Sequence, residues 1–127
     1  MDFRRFCRIA TIVFAVFTLY PIGTKLASGH LAHDWAHSAL HAASAGLAGY
    51  AGWLASSATA ARFYTWFIAV CYGVLGLGGW FVDGLLLGTP VAIPLGPVDN
   101  VFHLLLAGTA LTAITRATRS RAAVASS

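Results

Sequence analysis

Residues 63–82 read FYTWFIAVCYGVLGLGGWFV, a run with no charged side chain. At about 1.5 Å per residue it is as long as the hydrocarbon core of a bilayer is thick. In water such a helix would leave aromatic and aliphatic side chains exposed around its whole circumference, whereas lipid solvates them directly. Working outward, the stretches 6–25, 34–55 and 100–115 approach the same length and apolarity. Pro21 and Gly23 are expected to close the first and Ser56 and Ser57 the second. Asp83 and Gly84 are expected to close the third, and Pro94, Gly96 and Pro97 precede the fourth. The predicted fold is an all-α membrane protein: one domain over 1–127, with four transmembrane helices in a bundle and 116–127 as a short basic cytoplasmic tail.

Composition agrees with this reading. The chain is 58% hydrophobic and 9% charged, against about 25% charged in soluble domains. Its formal net charge of +4 does not point to nucleic acid, because Arg4, Arg5, Arg8, Arg62, Arg116, Arg119 and Arg121 flank apolar segments and form no continuous basic stripe. Basic flanks are topology signals and contacts for anionic headgroups. With both termini cytoplasmic every arginine is inside and Lys25 alone faces out, so the expected location is the inner membrane of a cell with the N-terminus in. Residues 9–20 behind Arg4 and Arg5 also have the form of a signal peptide. A partner segment later in the chain favours a retained helix: Arg5-Phe6 opens the first segment and Arg62-Phe63 the third. Cys7 and Cys71 have neither disulfide nor zinc spacing and read as small packing residues.

The second and fourth segments match more specifically. His41-Ala-Ala-Ser-Ala-Gly46-Leu-Ala stands beside His103-Leu-Leu-Leu-Ala-Gly108-Thr-Ala, a register that also pairs His37 with Asp99. Four segments with both ends inside therefore read as two helical hairpins related as a parallel internal repeat, about an axis along the membrane normal. Ala42, Gly46 and Gly49 on the second helix, and Gly76 and Gly79 on the third, are small residues at helical spacing. They are expected to let helix backbones approach.

The polar residues gather in the outer half. His30, His33, His37 and His41 share one helical face, and Asp34 beside them is placed to cap a helix start. His37, His41, Asp99, Asn100 and His103 are expected to converge inside the bundle, since an ionisable group in a span is costly unless it faces a partner. Three readings compete. The first is structural, with His41 and His103 as neutral imidazoles hydrogen-bonded across helices or to backbone carbonyls and no cofactor. The second is a haem site held by His41 and His103, or a Zn or Cu site in which Asp99 and His37 join them. The third is movement of protons or small solutes along a His and Asp chain, for which the inner half supplies few polar groups.

With His37, His41 and Gly46 in the second helix, and Pro94, Asp99-Asn100, His103 and Gly108 at the fourth, the chain resembles the four-helix bacterial membrane proteins filed as domain of unknown function 4383. The resemblance implies a small polytopic membrane protein and carries His41, Asp99, Asn100 and His103 as matching positions, with no activity attached. No serine or cysteine stands in a nucleophile elbow and the chain has no glutamate to act as a general base. A non-enzymatic accessory or scaffold subunit is the expected role, packed laterally against other membrane proteins or in a homo-oligomer.

Overall fold

A computed structural model describes residues 2–28, 35–89 and 92–125. Among these residues there are four α-helices: α1 (Phe3–Ser28), α2 (Trp35–Gly49), α3 (Thr59–Gly78) and α4 (Pro97–Ala125). Three stretches of described helix, Phe3–Thr24, Thr59–Gly78 and Pro97–Ser120, are long and apolar enough to cross a membrane. His30, His33 and Asp34 lie outside the described residues.

The helix ends differ from the expected ones for local reasons. Pro21 and Gly23 do not close α1, which runs on to Ser28 with Pro21 inside it; proline removes one backbone donor but need not end a helix whose freed carbonyl finds another partner. The third helix occupies Thr59–Gly78 rather than 63–82, and turns carry the chain through Gly79–Phe81. The basic segment after residue 115 is no separate tail, because α4 is continuous from Pro97 to Ala125. Pro97 suits a first helical position, and Asp99 accepts a hydrogen bond from Gly96 N (3.2 Å), reaching back over the start as in a capping box. Along α4 the hydroxyls of Thr109, Thr112, Thr115 and Thr118 donate to carbonyls of the preceding turn, so these polar side chains need no outside partner.

The second helix changes form. After Gly49 it continues as a π-helical turn over Tyr50–Leu54, closed by Ala55 N donating to Tyr50 O (2.8 Å). The carbonyls at this end are taken by α1: Arg8 Nε donates to Gly52 O (3.0 Å), and Arg4 donates to Ala55 O (2.8 Å) and Ser56 O (3.2 Å). Arg8 also lies over the Trp53 ring at 5.8 Å. Cations here meet the negative end of the helix dipole. Gly52 suits the approach, since a Cβ there would stand 3.0 Å from the Arg8 side chain.

Helices α1 and α2 form one antiparallel hairpin, α3 and α4 a second. The second is drawn together by glycine. Added Cβ atoms on Gly73, Gly76 and Gly79 would meet Ala107 at 3.9 Å, Leu104 at 2.8 Å, and Asn100 inside contact distance. Gly76 and Gly79 thus act as expected, but Ala42 and Gly46 do not: both are exposed, and a Cβ on Gly46 would meet nothing within 4 Å. Only Gly49 of that set faces a neighbour, Thr11 on α1 (3.6 Å).

The hairpins pack on each other mainly through α1, with a further tie between α2 and α3. Cys7 Sγ contacts Ala61 O (3.7 Å), Tyr64 OH donates to Ser44 O (3.1 Å), and Phe14 meets Tyr72 edge-on at 5.4 Å. A subset of buried positions falls at equal spacing in the two hairpins, though not all do: Phe102 is buried where Leu40 is exposed. Phe6, Cys7, Ala10, Phe14 and Thr18 are buried on α1, and Tyr64, Thr65, Ile68, Tyr72 and Gly76 on α3. Ser38, His41, Ser44, Ala48 and Ala51 are buried in the second segment, and Asn100, His103, Leu106, Ala110 and Ala113 on α4. The Arg-Phe match is offset by one from this pattern, because Phe6 is fully buried while Phe63 is 74% exposed. Between α3 and α4, β1 (Gly84–Leu85) pairs antiparallel with β2 (Ile93–Pro94), which packs against α2. Gly84 is needed there, at φ +157°, because a side chain would strike Ile93 O.

Candidate metal centre

At the end of the helices opposite Arg4 and Arg8, α2 presents His37 and His41 one turn apart and α4 presents His103 in its second turn. All three are buried. One donor nitrogen from each lies within 4.8 Å of the other two. The His37 and His41 rings stand edge-on at 4.5 Å, and the His37 and His103 rings lie 6.4 Å apart.

Three ring nitrogens of this group, His37 Nε2, His41 Nε2 and His103 Nδ1, are buried with no hydrogen-bond partner. A buried polar atom left alone costs about 1–3 kcal/mol, so three together need a shared cause. Among the described residues no direct His41–His103 hydrogen bond is present; the other form of the structural reading, an imidazole held by a backbone carbonyl, fits His41. The outer shell is aromatic: Phe14 and Phe102 lie 5.5 and 5.7 Å from the His41 ring, and Tyr72 stands edge-on to His103 at 4.9 Å.

Pro21 bears on this centre from α1. A proline donates no N–H, so the carbonyl of Phe17, four residues earlier, loses its helical partner. That carbonyl lies in hydrogen-bonding reach of His41. A backbone carbonyl holding one imidazole nitrogen while the other is left free is the usual outer-shell arrangement of a metal-bound histidine. Sequence reading missed this link, although a proline one turn beyond a carbonyl is a signal that could have suggested it.

The remaining expected members divide. Asn100 is 1% exposed and lies against Gly79, its Oδ1 also without a partner. Asp99 is half-buried and engaged with Gly96 N, outside the group whose donors converge. Of the two expected companions of His41 and His103, the structure brings the donor of His37 into the group and not that of Asp99.

Three imidazoles in this arrangement can surround one small ion. Metal–nitrogen bonds of about 2.0–2.1 Å require donors about 3.3–3.6 Å apart, which side-chain rotation can reach from the observed spread. A haem would need a porphyrin-wide slot, and the space around these rings is occupied by Phe14, Phe102 and Tyr72.

No family model, curated protein or solved structure matches the chain. The resemblance noted above stands on its quoted residues alone, and the reading of function rests on geometry.

Proposed function

We propose that this protein is a multi-pass membrane protein, a bundle of two repeated helical hairpins, that binds a transition-metal ion between His37, His41 and His103. The observation that carries the reading is the convergence of three buried imidazoles, each of which leaves one ring nitrogen without a partner. The role is binding rather than catalysis of the nucleophilic kind. Cys7, the buried thiol, is engaged with Ala61 O.

The fourth span of this reading is α2 continued through its π turn, Trp35 to Leu54, which together approach the length of a hydrocarbon core. The equally spaced subset of buried positions supports the repeat, as does the aromatic-on-histidine pair in each hairpin: Phe14 on His41 and Tyr72 on His103. The clustering of Arg4, Arg8 and Arg62 at the other end supports a cytoplasmic placement of that end and of both termini. Cysteine substituted at Ser57 should resist labelling from outside intact cells, and cysteine substituted at Gly88 should accept it; the reverse pattern overturns the topology.

The test of function is metal analysis of protein purified in detergent after exposure to Zn(II), Co(II), Ni(II) and, without oxygen, Cu(I). About one ion per chain should be retained by the wild type and lost in His41→Ala and His103→Ala variants that keep their helical circular dichroism. A wild type that retains none of the four ions overturns the reading.

A subunit role is a second reading, supported by the outward-turned Ala42 and Gly46, a surface that suits close helix packing in lipid. Its test is the native mass in mild detergent, where a strictly monomeric species without a co-purifying protein counts against it.

A further inference from the structure

We propose that the three-histidine centre is selective for Cu(I), a soft monovalent cation, over divalent ions; this deepens the metal-binding reading and rests on it. The first argument is charge. The converging donors are imidazoles alone, and neither a carboxylate nor a thiolate joins them among the described residues. The nearest described carboxylate along α4, Asp99, accepts from Gly96 N and reaches His41 and His103 only through space. Neutral donors offset none of the ion's charge by direct coordination. The electrostatic cost of burying an ion rises with the square of its charge, so a divalent ion costs about four times as much here as a monovalent one of equal size.

The second argument is the medium in which that charge sits. His41 is flanked by Phe14 and Phe102, and His103 by Tyr72, at ring separations of 4.9 to 5.7 Å. Aromatic packing of this kind keeps the local dielectric low and leaves little water to spread the charge.

The third argument is coordination number. Zn(II) takes four ligands, and a site with three protein donors completes its set with water. Cu(I), a closed-shell ion with no strong geometric demand, is satisfied by two or three nitrogen donors. The three histidines supply that number with no further group. Asn100 Oδ1 is the other buried partnerless atom at this end, and its side chain lies against Gly79 of α3. Being neutral, it leaves the charge argument unchanged wherever it turns.

The experiment is a parallel titration of the full-length protein in detergent micelles. Cu(I) is added under anaerobic conditions in competition with a colorimetric Cu(I) chelator, Zn(II) in competition with a fluorescent chelator, and Co(II) is followed by its own absorption. A His37→Asp variant is titrated alongside, which exchanges one neutral donor for an anion. The wild type should bind Cu(I) at least about a hundredfold more tightly than Zn(II) or Co(II), and His37→Asp should move the ratio toward Zn(II) by at least about tenfold. Equal or tighter binding of a divalent ion by the wild type overturns the selectivity and leaves the metal site standing. A Cu(I) preference that His37→Asp leaves unmoved overturns the charge argument on which the selectivity rests. Binding of none of the three ions overturns the selectivity and the metal reading together.

Discussion

The two hairpins solve the same packing problem by different means. In α3–α4 the backbones approach directly, through Gly73, Gly76 and Gly79 against Ala107, Leu104 and Asn100. In α1–α2 the hairpin is tied at one end by long side chains, Arg4 and Arg8 reaching the last carbonyls of the second helix. The backbone there is irregular twice, at Pro21 and at the π turn over Tyr50–Leu54. Direct approach keeps both helices regular, whereas irregularity frees carbonyls. The π turn lies where the arginines bind, and Pro21 frees Phe17 O beside His41. The half with the less regular backbone also contributes two of the three histidines.

The comparison is broken most sharply at the glycines. Leucine at Gly79 or Gly76 should destabilise the protein by about 3 kcal/mol, because the new side chain overlaps Asn100 or Leu104. Leucine at Gly46 or Gly108, where an added Cβ meets nothing within 4 Å, should change stability by less than about 0.5 kcal/mol. Unfolding in mixed detergent micelles measures both. A Gly46→Leu cost as large as that of Gly79→Leu would mean that a partner covers the outward face of α2.

A somewhat smaller effect is expected at the centre shared by the two halves. A metal ion at about a hundred times its dissociation constant should stabilise the wild type by about 2.7 kcal/mol. The same ion should stabilise neither His41→Ala nor His103→Ala. Thermal unfolding with and without metal gives the answer, and an equal shift in all three proteins would place the ion elsewhere.

The arginine tie comes next. Arg8→Ala should cost about 1 kcal/mol, since it removes a charged but exposed donor from the Gly52 carbonyl, while Arg5→Ala, equally exposed but outside this tie, should cost much less. Comparing the two in one unfolding assay separates hydrogen bonding from net charge, which both variants lower equally. The smallest expected effect belongs to Pro21→Ala. Alanine restores the helical donor to Phe17 O, so overall stability should hold or rise while metal affinity falls about tenfold. An unchanged affinity would show that the Phe17 carbonyl does not orient His41.

How far the site could be read in advance depends on the range of the interaction. His37 and His41 one turn apart on one face, and His41 matched to His103 by their shared Gly and Ala context, are local patterns visible in any listing of the residues. His37 and Asp99 were both legible as companions of that pair, but not which of them brings its donor into the group. A carboxylate near a helix start can cap or point inward, and only the placement of Gly96 N decides between the two. The small residues divided in the same way: Gly76 and Gly46 look alike in sequence, yet one meets Leu104 and the other nothing.

The sequence by itself determined that these segments are helices long and apolar enough for a membrane, that the charges gather at their ends, and that three histidines share faces with small residues. Those properties follow from composition and a period of about 3.6, which need no partner to be expressed. The tertiary structure decided which face of each helix meets another, that α1 continues through Pro21, that the second helix loosens into a π turn where arginines await its carbonyls, and that three imidazoles converge with their donors free. Each of these depends on a group far away in the chain, so no local pattern encodes it.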